Sequence, residues 1–253
     1  FEQCGLLVTD QIQLRRHSKS WFTVSPTLAA FNRIPDDRKK RTGVVATPCQ
    51  AMALAKMKTA EIPGNSGSDF PGLVIGLFCG WTLSMEKFHN LLARYGITEA
   101  DLTGMDIPAG KNILELFTAG GLLSVPMAEV DHCVRTACRY CMDSTAEFAD
   151  LSVGAARFGT DCEEMRGWNQ IIVRSDRGKE LIELAVAKQV LQLREASAQA
   201  LRELKRAAAE KKKKALKNIV EKSRSAKNLL YLKSDDPIVR RYLSVDKKRK
   251  GKS

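Results

Sequence analysis

Apolar positions along the chain fall into short continuous runs that alternate with helical spacing. Gly43-Val44-Val45-Ala46-Thr47 and Leu73-Val74-Ile75-Gly76-Leu77-Phe78 have the pattern of buried strands. Each run ends in a turn that carries a cysteine, Pro48-Cys49-Gln50 in the first and Cys79-Gly80 in the second. A Met- and Ala-rich helical stretch, Ala51 to Lys58, follows the first. A helix N-capped by Ser84 and running through Tyr95 follows the second, with Glu86 adding favourable charge in its first turn. Strand, turn and helix therefore occur twice, each time with a cysteine at the C-terminal edge of the strand, where ligands gather in open α/β sheets.

Around this pair the reading is coarser. Leu28, Phe31 and Ile34 have helical spacing, and Pro35-Asp36-Asp37 closes that segment. Residues 61–71 are a loop by composition, and 104–126 alternate short β segments with Gly-rich turns. Cys133 to Cys141 is expected to be a polar, cysteine-dense loop. Phe148 to Gly154 and Asn169 to Arg174 are strand-like, and Asp176-Arg177-Gly178 is expected to turn into the C-terminal helix. From Glu180 to about Asn228 nothing breaks a helix. Leu181, Leu184, Ala185, Val190, Leu191 and Leu193 give it one apolar side. Beyond Leu204 these positions thin out, which predicts a docked helix that becomes solvated and basic and frays past Glu221. The expected architecture is an α/β (or α+β) body over residues 1–179, a long C-terminal helix over 180–228 and a basic tail over 229–253.

Charge refines this division. The 253-residue chain carries a net +12, yet residues 202–253 hold 19 Lys and Arg against 6 Asp and Glu. The remaining 22 basic and 23 acidic residues leave residues 1–201 close to neutral. Basicity is thus a property of the C-terminal part, read as a solvated helical face or as an arm for an acidic partner subunit. Nucleic-acid binding would want aromatics among the basic residues, and 202–253 contain only Tyr231 and Tyr242. No apolar run approaches the roughly 20 residues of a membrane span, and no secretion signal precedes the body. The expected location is the cytoplasm. The chain opens on Phe1 without an initiator Met, so a missing N-terminal part is an expectation carried forward.

Seven cysteines in such a chain do not read as a disulfide framework. Buried thiols, catalytic thiols and metal ligands remain. Cys138-Arg139-Tyr140-Cys141 is a C-x-x-C pair, which by itself suits half a zinc site, a redox dithiol or part of an iron–sulfur site. Cys49 and Cys79, each at a strand end beside Pro or Gly, are the natural further ligands. Zinc sites more often use two short-range pairs. The order single, single, pair favours a cluster, with zinc and inert thiols left open. Cys133 is the serious substitute ligand; Cys4 and Cys162 read as small buried or half-buried thiols.

These segments resemble the beta subunits of coenzyme F-420 hydrogenases and dehydrogenases, a family that also supplies a subunit of some archaeal formate dehydrogenases. Gly43 to Gln50 is similar to its strand ending in Pro-Cys-Gln, and Val74 to Cys79 to its second cysteine strand. Ala137-Cys138-Arg139-Tyr140-Cys141-Met142-Asp143 with Ala146 to Gly154 is similar to its most specific segment. The resemblance runs from about Ser20 to Lys222. It implies that Cys49, Cys79, Cys138 and Cys141 hold a 4Fe-4S cluster beside an FAD that exchanges hydride with the deazaflavin coenzyme F-420. It further implies that Thr47, Gln50, Ser152 and Gly154 lie near flavin or cluster. The implied activity is that of an oxidoreductase subunit passing electrons to a hydrogenase, a formate dehydrogenase or a similar iron–sulfur partner. The rival is a non-enzymatic interaction subunit that uses its basic arm. One departure is that no Gly-Gly-x-x-Thr segment, which helps form the family's flavin site, precedes Cys49.

Other polar residues carry blander expectations. Thr47 and Gln50 could equally be turn residues bonding their own backbone. Asp150 either orients a ligand or starts a turn, and Arg139 either faces cluster charge or lies on the surface. His17, His89 and His132 have no ligand-like spacing, and Trp21, Trp81 and Trp168 read as core anchors.

Overall fold

The computed structural model describes residues 4–16, 20–59, 70–108, 110–156, 167–224, 229–230 and 232–242. Three short helices come first: α1 (Gln11–Arg16), α2 (Thr27–Asn32) and α3 (Asp36–Lys39). The predicted cysteine strands follow as β1 (Gly43–Ala46) and β2 (Leu73–Leu77), separated by α4 (Pro48–Thr59). Then come α5 (Met85–Arg94), the meander β3 (Leu102–Asp106), β4 (Ile113–Thr118) and β5 (Gly121–Pro126), and α6 (Met127–Cys133). Strands β6 (Leu151–Ala155) and β7 (Asn169–Val173) lead to α7 (Asp176–Ala187) and α8 (Ala198–Ser223).

The strands form two sheets. One is mixed, in the order β1-β2-β6-β7: β1, β2 and β6 are parallel and β7 is antiparallel. The other is the antiparallel meander β3-β4-β5. Because β1 and β2 are parallel neighbours, the turns that follow them lie at the same sheet edge, and with them Cys49 and Cys79.

Two cores sit behind these sheets. Phe31, Val44, Ala46, Ala51 and Leu54 join α2, β1 and α4 to Ala146 and Ala149. The larger core packs Phe88, Leu91 and Leu92 of α5 and Val130 of α6 onto Leu114, Leu116 and Val125 of the meander. Each of these large side chains contributes about 1.5–3 kcal/mol through burial.

Gly76 is required by close approach. A β-carbon there would meet the Cβ of Ala146 at 2.3 Å and that of Ala149 at 2.9 Å, so glycine lets residues 146–149 lie directly on β2. Asp150 fastens the same segment. Its carboxylate accepts from the Val74 N–H at 2.7 Å and from the Ser175 hydroxyl at 2.7 Å. Of its two expected roles, it takes that of organising a turn.

The structure departs from the sequence expectations in the C-terminal half. Residues 133–141 are not all loop: Cys133 closes α6, and 136–140 form a 3₁₀ turn. Asp176-Arg177-Gly178 is the first turn of α7, capped by the Ser175 side chain. The continuous helix expected over 180–228 is two helices. Gln189, in the left-handed region at φ +57°, ends the first, and Ser197 caps the second by accepting from the Ala200 N–H. Nor is α8 a solvated arm, because Ala215, Leu216 and Ile219 are buried, and the last two pack with Tyr140 and Met142 of the cysteine segment. Among the described residues no helix is long and apolar enough to cross a membrane. Cys162, His17, Tyr231 and residues 243–253 of the expected basic tail lie outside the described residues.

Candidate functional site

The sheet edge that carries Cys49 and Cys79 is joined to the C-x-x-C turn by backbone pairing. The Cys79 N–H donates to Ser144 O at 2.9 Å, Ser84 N–H to Cys133 O at 2.8 Å and Arg135 N–H to Thr82 O at 3.0 Å. Residues 79–84 are thereby laid along 133–144, so a segment distant in sequence arrives beside the second cysteine strand. Thr82 faces Cys138 across this seam. Its N–H donates to the Cys138 sulfur at 3.4 Å, and its hydroxyl lies 3.4 Å from the same sulfur. After Cys141 the chain is turned by Asp143, whose carboxylate accepts from the Thr145 and Glu147 N–H groups at 2.9 and 2.8 Å.

The four sulfurs share one electrostatic neighbourhood. Burial pushes the Cys79 thiol up to about 12; the Lys211 charge opposes this, and Cys138, Cys49 and Cys141 add to it. Burial likewise raises the Cys141 thiol, again against Lys211 and with Cys49 adding to the rise. Cys133 belongs elsewhere. It is 4% exposed within the α5–α6 core, its thiol donates to Lys87 O at 3.3 Å, and none of the other thiols perturbs it. Cys4 is exposed at the chain's start.

Four sulfur donors without histidine or carboxylate are a soft set, suited to iron–sulfur or zinc chemistry. Among the described residues no three His, Cys, Asp or Glu are drawn together as ligands of a single ion. By the chemistry of their sulfur donors, Cys49, Cys79, Cys138 and Cys141 would be the residues to hold an iron–sulfur group.

Lys211 of α8 completes the site, and sequence reasoning did not single it out. Its ammonium donates to Cys79 O at 2.6 Å and to Asp143 O at 2.8 Å, thereby tying together two of the ligand segments. Lys212 pairs with Glu147 at 2.5 Å, and the Asn218 amide donates to Arg139 O at 2.8 Å. Half of the Lys211-Lys212-Lys213-Lys214 run therefore reaches into the body. The one available signal was the interleaving of Ala215, Leu216 and Ile219 with this run.

The residues assigned near a flavin have their side chains engaged within the chain. At the start of α4 the Gln50 side chain reaches back to the Thr47 backbone, which is one half of a capping box. The Gln50 side-chain oxygen accepts from the Thr47 N–H at 3.0 Å, and its amide donates to Ser25 O at 2.7 Å. The Thr47 hydroxyl lies 3.0 Å from Gln50 Oε1 and 3.2 Å from the Cys49 sulfur. Ser152, fully buried, donates to Ala146 O at 3.1 Å and accepts from Arg174 at 3.1 Å. Gly154 leaves room for the Phe78 ring. Arg139 pairs with Asp131 at 3.0 Å, His89 with Glu99 at 2.6 Å, and Trp81 packs on Phe22 with ring centres 5.7 Å apart.

Residues 39–199 match the family described as the C terminus of the coenzyme F420 hydrogenase/dehydrogenase beta subunit. The coenzyme F420 hydrogenase subunit beta of Methanococcus voltae is 28% identical over 173 residues, which cover 68% of this chain and 59% of that one. The corresponding beta subunit of Methanothermobacter thermautotrophicus is 25% identical over 182 residues, 71% of this chain and 61% of that protein. The chain thus spans about three-fifths of the length of these two relatives. In three dimensions it is similar to a chain of the F420-reducing [NiFe] hydrogenase complex from Methanosarcina barkeri, with a TM-score of 0.67 at 21% identity. That likeness covers 80% of this chain and 69% of the other. With the matched range taking in all four cysteines of the site, the chain belongs to the family of coenzyme F420 hydrogenase/dehydrogenase beta subunits.

Proposed function

We propose that Cys49, Cys79, Cys138 and Cys141 hold a 4Fe-4S cluster and that the chain is an electron-transfer subunit of an oxidoreductase complex. It exchanges electrons with FAD or the deazaflavin coenzyme F-420 on one side and with a redox partner on the other. The observation that carries this reading is geometric: parallel β1 and β2 put the Cys49 and Cys79 turns at one sheet edge, and the 79–84 seam brings the Thr82 N–H to 3.4 Å from the Cys138 sulfur. The relatives add support, since they include beta subunits of F420 hydrogenases and of an F420-dependent formate dehydrogenase. A partner of hydrogenase, formate dehydrogenase or similar iron–sulfur type follows by analogy.

A bound cluster would supply one-electron steps to a coenzyme that gives two. The chain's own residues provide position and potential. The α4 cap holds Cys49 at the helix start, and the 79–84 seam sets Cys79 beside Cys138. Thr82 presents a donor to the Cys138 sulfur. Metal uptake must displace thiol protons, and the burial that raises Cys79 and Cys141 makes that uptake sensitive to pH. Lys211 and Lys212 are engaged within the chain and so do not serve the interaction-subunit reading.

Anaerobic purification with iron and sulfide analysis tests the proposal. About four irons per chain and a broad absorbance near roughly 400 nm are expected. Cys138→Ser and Cys141→Ser should lose both, while Cys4→Ser, Cys133→Ser and Cys162→Ser should keep them. Zinc in place of iron, or iron lost with Cys133 and kept without Cys138, would overturn the assignment.

A further inference from the structure

Lys211 stands beyond residues 39–199, the range that matches the family. It is carried by a helix whose basic residues suggested a surface arm. Instead, its ammonium is fixed by two backbone carbonyls, Cys79 O at 2.6 Å and Asp143 O at 2.8 Å, one from each of two cysteine segments. Neither of these partners is a carboxylate, and among the described residues no ion pair of Lys211 cancels its charge. Salt bridges hold its neighbours in the sequence differently: Lys212 meets Glu147 at 2.5 Å, and Lys217 pairs with Glu221 within α8 at 3.7 Å.

Resting on the cluster reading above, we propose that Lys211 is the fixed cation of this site, a positioning residue through which α8 sets the reduction potential. Four thiolates bring four negative charges into a partly buried region, and one-electron reduction adds another. A cation held at the ligand backbone favours the more negative state and so raises the potential. Because the two carbonyls belong to the Cys79 turn and to the turn after Cys141, Lys211 also holds these ligand segments together. The site's electrostatics thus depend on docking of a helix that contributes no ligand.

The test is a potentiometric titration with dithionite, followed by EPR, on anaerobically prepared wild type, Lys211→Met, Lys211→Arg and Asn218→Ala. Asn218→Ala removes the bond to Arg139 O and loosens α8 without changing charge. Lys211→Met should lower the potential by roughly tenfold in the one-electron equilibrium, about 59 mV. Lys211→Arg and Asn218→Ala should stay near wild type. A Lys211→Met protein that binds iron at the wild-type potential overturns the inference. A potential in Lys211→Arg as low as that of Lys211→Met also overturns it, since a cation would then not be what sets the potential. If Lys211→Met loses iron altogether while Lys211→Arg keeps it, the cation is required, as proposed; loss in both variants overturns the charge argument. A wild type that takes up no iron overturns the cluster reading and this inference with it.

Discussion

The backbone N–H of Thr82 points at the sulfur of Cys138 from 3.4 Å, and the Thr82 hydroxyl lies equally close. Fifty-six residues separate the two in the chain. What unites them is the bond from Arg135 N–H to Thr82 O together with the isolated bridge between Leu83 and Val134. Thr82→Val keeps the shape and the N–H but removes the hydroxyl donor. A hydrogen bond to a sulfur that carries charge is worth about 1 kcal/mol net, so iron retention against a chelator should fall roughly fivefold. Thr82→Ser should retain most of it. Equal retention in Thr82→Val and wild type would show that the hydroxyl does not serve the sulfur.

Gly154 tests packing at the same sheet edge. A β-carbon at this position would lie 2.1 Å from Cδ2 and 2.5 Å from Cβ of Phe78. The Cβ atom cannot swing aside as a ring end can. Gly154→Ala should therefore cost about 1–3 kcal/mol, read as a lowered urea midpoint. Phe78→Leu on the same background should recover part of the loss. Additive effects in that double-mutant cycle would mean that the two positions do not meet.

Strands and cysteine turns were legible because their signal is local: an apolar run, then Pro or Gly, then the thiol. The α4 cap was equally local, since Thr47-Pro48-Cys49-Gln50 carries the capping-box spacing with Pro at the first helical position. Those residues nevertheless invited a cofactor reading because they adjoin a cysteine. Thr82 and Lys211 could not be read so simply, for their meaning lies in what the fold brings to them. Lys211 reaches Cys79 across 132 residues of sequence. The break between α7 and α8 was hidden for a different reason. Gln189 and the residues after it suit a helix by propensity, and only the backbone shows Gln189 at positive φ and Ser197 acting as a cap.

Cys133 separates a core thiol from the group of four. Burial raises it above the ordinary thiol value of 9.0, with Arg94 and Lys87 opposing that rise. The folded chain therefore binds this proton more tightly than the unfolded one. Its contribution to stability is complete below about pH 9 and is lost as the pH rises toward the folded value. Urea midpoints measured in wild type should fall as the pH rises past about 9. Cys133→Ala should show a shallower fall over the same range, with iron content unchanged. An identical alkaline slope in both proteins would remove Cys133 as its source.

The strongest demand on the structure is that α8 belongs to the body. Leu216 is 1% exposed and Ile219 fully buried, in a cluster that also takes in Leu229 and Val239 and is lined by Tyr140 and Met142. Tyr140 lies inside the C-x-x-C pair, so one apolar cluster joins the helix to the ligand turn. A solvated basic arm would tolerate Leu216→Ala with a change near zero. A docked helix should lose about 2–5 kcal/mol, because the vacated space lies among groups that relax only partly. The loss should also reach the metal site, since undocking withdraws Lys211 from Cys79 O and Asp143 O. Truncation after Leu201 removes the whole contact and should abolish iron binding at low and high salt alike. Retained iron in the truncated chain, together with a neutral Leu216→Ala, would return α8 to the role of an external arm. A salt-dependent loss of iron would instead mean that charge on the helix surface, and not its buried face, holds it in place.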